Sequence, residues 1–142
     1  SPMKPYVVGI DLGGTNTVFG IVDARGVVIA SSSIKTCKHN TVEDLDLYTE
    51  LTRLIKANDA EGKIHGIGIG APNANYYTGM IEDAVNLPWP TPIPLAKLVS
   101  EKFGIPVTIT NDANAAAIGE MTYGAARGLK DFIMITLGTG VG

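Results

Sequence analysis

Short apolar runs, each closed by glycines or by polar turn residues, dominate the amino-terminal part of the chain. The run Tyr6–Leu12 is strongly apolar and ends in glycines, which predicts a buried strand. Thr17–Val22 and Val27–Ser33 predict two further strands, and Asp23–Gly26 between them is typical of a tight turn. Three successive strands with short turns predict an antiparallel meander.

Helical periodicity begins further along the chain. Apolar residues recur at helical spacing over Val42–Ala57, and Ile64–Ile69 then predicts a short strand. A helix between two strands implies a crossover connection and a parallel neighbour. The remaining pattern predicts helices over Leu95–Phe103 and from Asn111/Asp112 through Ala125, and strands over Val107–Thr110 and Phe132–Leu137. The order β-β-β-α-β-α-β-α-β predicts an α/β domain.

A long proline-rich loop, Pro72 to Pro94, lies between the fourth predicted strand and the helix after it. Loops of this length in compact domains are usually functional or disordered. Its asparagines, which include Asn73, Asn75 and Asn86, suit sugars because an amide donates and accepts as a hydroxyl does. Asn73 and Asn75 suit turns equally well. Trp89 lies between two prolines, and its side chain has two candidate roles: stacking on a sugar or anchoring the loop. The anchoring role is the favoured interpretation.

Composition and charge narrow the class of protein. The chain has 142 residues, of which 45% are hydrophobic and 18% charged, as expected for one soluble globular domain. A net charge of −3 without a basic stretch argues against a nucleic-acid partner. No apolar run approaches the roughly 20 residues of a membrane span. Cys37 is the single cysteine, so an internal disulfide or a cysteine zinc cluster is excluded here, and a cytoplasmic location fits.

The first predicted strand ends in Asp11-Leu12-Gly13-Gly14-Thr15. Glycines allow backbone N–H groups to approach phosphate oxygens, and Thr15 adds a hydroxyl donor. Asp11 is placed to hold Mg²⁺, directly or through water, because hard cations prefer oxygen ligands. A plain hairpin turn with a capping aspartate explains the same residues. The stretch is neither a Walker loop, which needs a lysine, nor a dinucleotide fingerprint, since a strand follows it.

A second glycine–threonine turn, Gly138-Thr139-Gly140, follows the last predicted strand. Two such turns at the ends of separate buried strands are a stronger indication than either alone. They resemble the two phosphate hairpins of the actin-like ATPase superfamily, in which the nucleotide lies between two domains.

Asn111 and Asp112 stand where a predicted strand ends and an alanine-rich helix begins. Asn and Asp are preferred N-caps, and on these residues alone that interpretation is favoured. In the functional interpretation Asp112 receives the proton of a sugar hydroxyl, and Asn111 forms hydrogen bonds with neighbouring hydroxyls. The helix terminus favours the ionised carboxylate, which makes a weak but well-positioned base.

A family resemblance rests on five ordered motifs: Asp11–Thr15, Gly68–Pro72, Asn86–Trp89, Asn111–Asn114 and Gly138–Gly142. Together they resemble the ROK family (repressors, open reading frames, kinases) over nearly the whole chain. The resemblance implies that Asp112 is the catalytic base, that Asn86 and Asn111 bind a hexose, and that both glycine turns hold ATP with Mg²⁺. Asn73 is a further candidate sugar contact, although many members have glycine there.

The resemblance also implies a ribonuclease-H-like (actin-like ATPase) domain over residues 1–142. Its mixed five-stranded sheet has three antiparallel strands first and helices on both faces. A second, C-terminal domain of the same fold is expected beyond Gly142, together with the family's zinc-binding cysteine motif. This chain by itself is therefore expected to be inactive, and the full-length protein is expected to form a homodimer or a higher homo-oligomer.

Three functions follow from the resemblance. The preferred one is an ATP-dependent hexose kinase that transfers the γ-phosphoryl group to a sugar hydroxyl, the 6-hydroxyl of glucose above others. The alternative is a sugar-responsive transcriptional regulator, which would carry a helix-turn-helix before the first strand, and Met3–Pro5 leaves no room for one. The third, a non-sugar ATPase or carboxylate kinase, is disfavoured by the Asn86–Trp89 loop.

Overall fold

A computed structural model describes residues 4–36, 46–83 and 89–111 of the chain. The described elements, in chain order, are β1 (Tyr6–Leu12), β2 (Asn16–Val22), β3 (Val28–Lys35), α1 (Asp46–Ala57), β4 (Ile64–Gly70), β5 (Ala74–Asn75), β6 (Met80–Ile81), α2 (Leu95–Phe103) and β7 (Val107–Thr110). The structure confirms the predicted bounds of β1, α2 and β7. The last predicted helix and strand lie outside the described residues.

Five strands form one mixed sheet in the order β3-β2-β1-β4-β7. The first three strands pair antiparallel, as their short connections require. Strand β4 pairs parallel with β1, and β7 pairs parallel with β4, because α1 and α2 supply the crossover connections. The predicted fold class, an α/β domain with three antiparallel strands first, is therefore confirmed.

The core lies between this sheet and the two described helices. The central strand β1 is buried on both faces, with Val7 and Val8 fully inaccessible to solvent. Helix α1 buries one apolar stripe, formed by Leu47, Tyr48, Leu51, Leu54 and Ile55. Helix α2 buries Leu95, Ala96 and Val99 and ends at Gly104, whose φ of 67° is the left-handed conformation that glycine adopts without steric cost.

Several predicted bounds change in the structure. Strand β2 begins one residue earlier than predicted, β3 covers Val28–Lys35, and β4 extends to Gly70. Helix α1 is described from Asp46, and the four residues before it in the prediction lie outside the described ranges. The loop after Pro72 contains the two-stranded hairpin β5–β6, which the sequence did not predict.

The turn between β2 and β3 is the predicted one. The Asp23 carboxylate accepts hydrogen bonds from the N–H groups of Arg25, at 2.9 Å, and Val27, at 3.0 Å. The Arg25 guanidinium also donates to Asp23, and these hydrogen bonds hold the pKa of Asp23 below its usual value. This turn lies at the edge of the sheet where β1 begins, opposite the end at which the candidate site residues gather.

Candidate active site

The predicted site residues within the described ranges gather at one edge of the sheet. Strands β1, β4 and β7 run in the same direction, so their carboxyl ends meet there. Asp11 is the direct neighbour of Gly70 on β4, and Gly70 is the direct neighbour of Thr110 on β7. In open α/β sheets ligands bind outside the carboxyl ends of the strands. The edge therefore combines an acidic residue, a glycine turn and the polar residue Asn111 that follows β7.

The turn that joins β1 to β2 presents its backbone at this edge. The Gly13 N–H donates to the Asn16 carbonyl at 2.9 Å and closes the turn. Among the described residues, the N–H groups of Gly14 and Thr15 have no hydrogen-bond acceptor, and Thr15 is exposed. Asp11, just before the turn, has 4% of its surface exposed. The turn thus offers backbone donors, which suit an anion, beside a buried carboxylate, which suits a hard cation.

Thr36, which follows β3, holds this turn and was missed by the sequence analysis. Its N–H donates to the Thr15 carbonyl at 2.9 Å, and its hydroxyl donates to the Gly13 carbonyl at 2.7 Å. The Thr17 hydroxyl lies 2.9 Å from the Thr36 hydroxyl. No motif marks these residues, since each looks like an ordinary strand threonine. The pairing of Asn16 with the residue before Thr36 is what brings them together.

The described residues hold part of the predicted site. Asp11, Gly13, Gly14, Thr15, Asn73 and Asn111 are described, whereas Asn86, Asp112, Gly138, Thr139 and Gly140 lie outside the described ranges. Asn111 is exposed directly after β7. Within those ranges, no group of three or more His, Cys, Asp or Glu side chains could hold a metal ion. Asp11 is therefore the described carboxylate on which the magnesium prediction rests.

Comparison with known proteins decides the family. The family model described as ROK matches residues 7–142. The chain belongs to the ROK family. Within the described ranges, no helix is long and apolar enough to span a membrane.

ROK relatives of this chain include both kinases and repressors. A glucokinase of Halalkalibacterium halodurans is 37% identical, with 96% of this chain and 42% of the glucokinase covered. A xylose repressor of Caldicellulosiruptor bescii is 34% identical, with 96% of this chain and 35% of the repressor covered. The solved structure of a ROK glucokinase from Streptomyces griseus, in complex with glucose and AMPPNP, superposes with a TM-score of 0.62 at 30% identity, over 84% of this chain and 37% of that one. The chain thus spans less than half the length of these relatives.

Asn73 departs from the glycine of many ROK members, and its backbone explains why asparagine is accepted. Its φ is 53°, in the left-handed region that glycine favours and asparagine tolerates better than most residues. Its side-chain amide donates to the Asp83 carbonyl, and its own carbonyl accepts from the Glu82 N–H at 3.1 Å. These contacts give Asn73 a role in closing the loop. Its sugar contact remains a prediction.

Two substitutions separate the roles of Asn73. Alanine and glycine both remove the amide, but only alanine is strained at a positive φ. We therefore expect Asn73→Ala to unfold with a free energy about 1 kcal/mol lower than Asn73→Gly, measured by urea denaturation. Equal stabilities would contradict the backbone explanation. In Asn73→Gly, an elevated KM for sugar at retained stability would support the predicted sugar contact.

The rest of the loop is fixed locally. The Asn75 side-chain oxygen accepts from the N–H groups of Tyr77, at 2.9 Å, and Thr78, at 3.2 Å, so Asn75 acts as a turn residue. Trp89 is 8% exposed and belongs to the core, which confirms that it anchors the loop. Tyr76 and Tyr77 meet edge to face, and Tyr77 is 93% exposed, so this pair does not pack beneath the loop.

Proposed function

We propose that this chain is the amino-terminal part of an ATP-dependent hexose kinase, which transfers the γ-phosphoryl group of ATP to a sugar hydroxyl, most favourably the 6-hydroxyl of glucose. The observation that carries the proposal is the convergence of Asp11, the Gly13–Thr15 turn and Asn111 at the carboxyl edge of the parallel strands. Similarity to glucokinases, one of them solved with glucose and AMPPNP, supports this choice of substrates.

The Gly13–Thr15 turn forms the phosphate side of the proposed site. The N–H groups of Gly14 and Thr15, with the Thr15 hydroxyl, are the donors available to phosphate oxygens. The Asp11 carboxylate fits Mg²⁺, directly or through water, because its oxygens are the ligands that this cation prefers. When bound, Mg²⁺ neutralises charge on the phosphates during transfer. The second turn, Gly138–Gly140, is proposed to complete the phosphate side.

The sugar side is proposed to follow β7. Asp112 accepts the proton of the attacking hydroxyl, while Asn86, Asn111 and Asn73 hydrogen-bond the hydroxyls around it. Phosphoryl transfer has a loose transition state, so the main task of these residues is to hold the sugar in line with the phosphate. Asp11 pairs with Gly70, and Gly70 pairs with Thr110. Thr110 is therefore two strands away from Asp11, and the backbones of Asp11 and Thr110 are about 10 Å apart.

We expect Gly14→Val to raise the KM for ATP about tenfold while the KM for sugar stays within about twofold. Gly14 is not among the described glycines with positive φ, so valine there does not incur the strain of a left-handed backbone. Its branched side chain instead obstructs the approach of phosphate to the turn. A tenfold rise in KM corresponds to the loss of about one hydrogen bond to a charged phosphate oxygen. Steady-state kinetics with each substrate varied in turn measures both constants. An unchanged KM for ATP would remove Gly14 from the nucleotide site.

A sugar-responsive regulator is the second candidate, because a xylose repressor is 34% identical to the chain over the 142 residues that align. The kinase and the regulator differ in whether ATP is converted to ADP when a sugar is present. A panel of glucose, fructose, mannose, N-acetylglucosamine, N-acetylmannosamine and xylose, each tested with Mg-ATP against the full-length protein, separates them. Release of ADP with one or more sugars supports the kinase. No turnover with any sugar, together with sugar-dependent DNA binding, would replace the kinase with the regulator.

Three further expectations belong to the same proposal and rest on the family. They are a cytoplasmic location, a homodimer or higher homo-oligomer, and a second domain that completes both substrate sites. The length of the relatives supports the last of these, since the chain covers 42% of the H. halodurans glucokinase. A structural zinc in that second domain remains a prediction.

A further inference from the structure

The residues that hold the phosphate turn form a hydrogen-bonded chain, which we call the threonine clasp: Thr17, Thr36 and the Gly13 carbonyl. A hydroxyl carries a single proton. Because the Thr36 proton is donated to Gly13, the Thr17 hydroxyl is the donor in the contact between the two threonines. Thr17 has 2% of its surface exposed, so water competes little for this hydrogen bond. The Thr36 N–H completes the clasp by donating to Thr15.

The clasp determines the direction of two peptide groups. In a planar trans peptide the C=O and the following N–H point in opposite directions. The Gly13 carbonyl faces Thr36, so the Gly14 N–H is directed away from Thr36. The Thr15 carbonyl also faces Thr36, so the Asn16 N–H is directed away in the same manner. Thr36 therefore orients the Gly14 N–H, one of the two proposed phosphate donors, away from β3.

We infer that Thr36 is a positioning residue for phosphate binding, an inference that rests on the proposed kinase function. Donors that already point at the position of a charge stabilise it without reorganisation. Without the clasp, the glycine-rich turn samples other peptide orientations, since glycine populates more of conformational space than any other residue. Loss of the Thr36 hydroxyl is therefore expected to weaken nucleotide binding although Thr36 itself points away from the nucleotide.

The kinetic test compares Thr36→Val, Thr36→Ser and the control Thr52→Val in the full-length protein. Thr52 lies on α1 near Ile64, at the opposite edge of the sheet. Thr36→Val removes the hydroxyl and nearly keeps the shape of the side chain. It is expected to raise the KM for ATP about fivefold, which is the effect of losing one neutral hydrogen bond, and to change the KM for sugar by no more than about twofold. Thr36→Ser keeps the hydroxyl and is expected to match the wild type, as is Thr52→Val.

Three outcomes of this test would overturn the inference. The first is an unchanged KM for ATP in Thr36→Val. The second is an equal rise in both KM values, which a general loss of structure would produce. The third is a serine variant as impaired as the valine variant, because the hydroxyl would then be irrelevant.

A second measurement does not depend on the proposed function. The Gly13 amide donates to Asn16 and is chemically the same in every variant. Its hydrogen exchange, followed by NMR, is expected to be about fivefold faster in Thr36→Val than in the wild type, Thr36→Ser or Thr52→Val. Unchanged exchange would overturn the clasp whatever the substrate. If the wild type neither binds ATP nor phosphorylates a sugar, the proposed function and the phosphate role both fail, while faster exchange would still support the clasp.

Discussion

Replacing Asp11 with asparagine is expected to lower kcat/KM for Mg-ATP about 10- to 100-fold, the range found when a residue that orients the ligands of a metal is lost. Asparagine keeps the shape of the side chain but removes the negative charge that attracts the cation. Asp11 is 4% exposed at the end of β1, beside the turn whose N–H groups face the phosphates in our proposal. The Mg²⁺ concentration that gives half-maximal activity at fixed ATP should rise in the same variant.

Asp23 provides the matched control. Like Asp11 it is largely buried, at 8% exposed, but it lies in the turn after β2 at the opposite edge of the sheet. Asp23→Asn should therefore leave the Mg²⁺ dependence unchanged. If Asp11→Asn shows wild-type Mg²⁺ dependence, or if both variants lose activity equally, Asp11 has no specific role in binding the metal.

Elements with strong boundary residues were predictable from the sequence. The bounds of β1 and α2 were predicted correctly because Gly13 follows one and Pro94 and Gly104 flank the other, and these residues end regular structure for steric reasons. The start of β2 and the end of β3 were misplaced because Asn16, Ile34 and Lys35 carry no such signal. Their pairing with neighbouring strands, which is a tertiary property, sets those bounds.

The hairpin β5–β6 could not be predicted from hydrophobic periodicity. Two strands of two residues are too short to produce a hydrophobic period. Local side-chain contacts form the hairpin instead, with the Asn73 amide bonded to Asp83 and the Asn75 oxygen bonded to Tyr77 and Thr78. The sequence marked both asparagines as either turn or sugar residues, and the structure gives each a turn role.

The gathering of site residues was predictable in outline, and the clasp was not. Parallel strands place the residues after β1, β4 and β7 at one edge, so the gathering of Asp11, Asn73 and Asn111 follows from the topology, although the sequence analysis did not state it. The Thr36 contacts join residues 23 positions apart in the chain. They depend on the register of two antiparallel pairings, which residue types alone do not determine.

Asp112 carries the largest expected effect. It follows Asn111 in the sequence, and Asn111 is the residue after β7 at the edge that holds Asp11 and the phosphate turn. In the full-length protein, Asp112→Asn is expected to lower kcat about 10²- to 10⁴-fold, the usual contribution of a general base, because the amide cannot accept the sugar proton. The melting temperature should barely change, since asparagine caps a helix about as well as aspartate. Sugar affinity should largely persist because the amide fills the same space.

Two further variants separate the base from the helix cap. Asp112→Ala removes both functions, so it should lose activity as Asp112→Asn does and in addition lose about 1 kcal/mol of stability. Asp59→Asn makes the same chemical change at an exposed position after α1, where the φ of 51° suits asparagine, and should retain full activity. If Asp112→Asn keeps wild-type kcat while Asp112→Ala is destabilised, Asp112 is a helix cap, and the proton of the sugar hydroxyl must be accepted by another group.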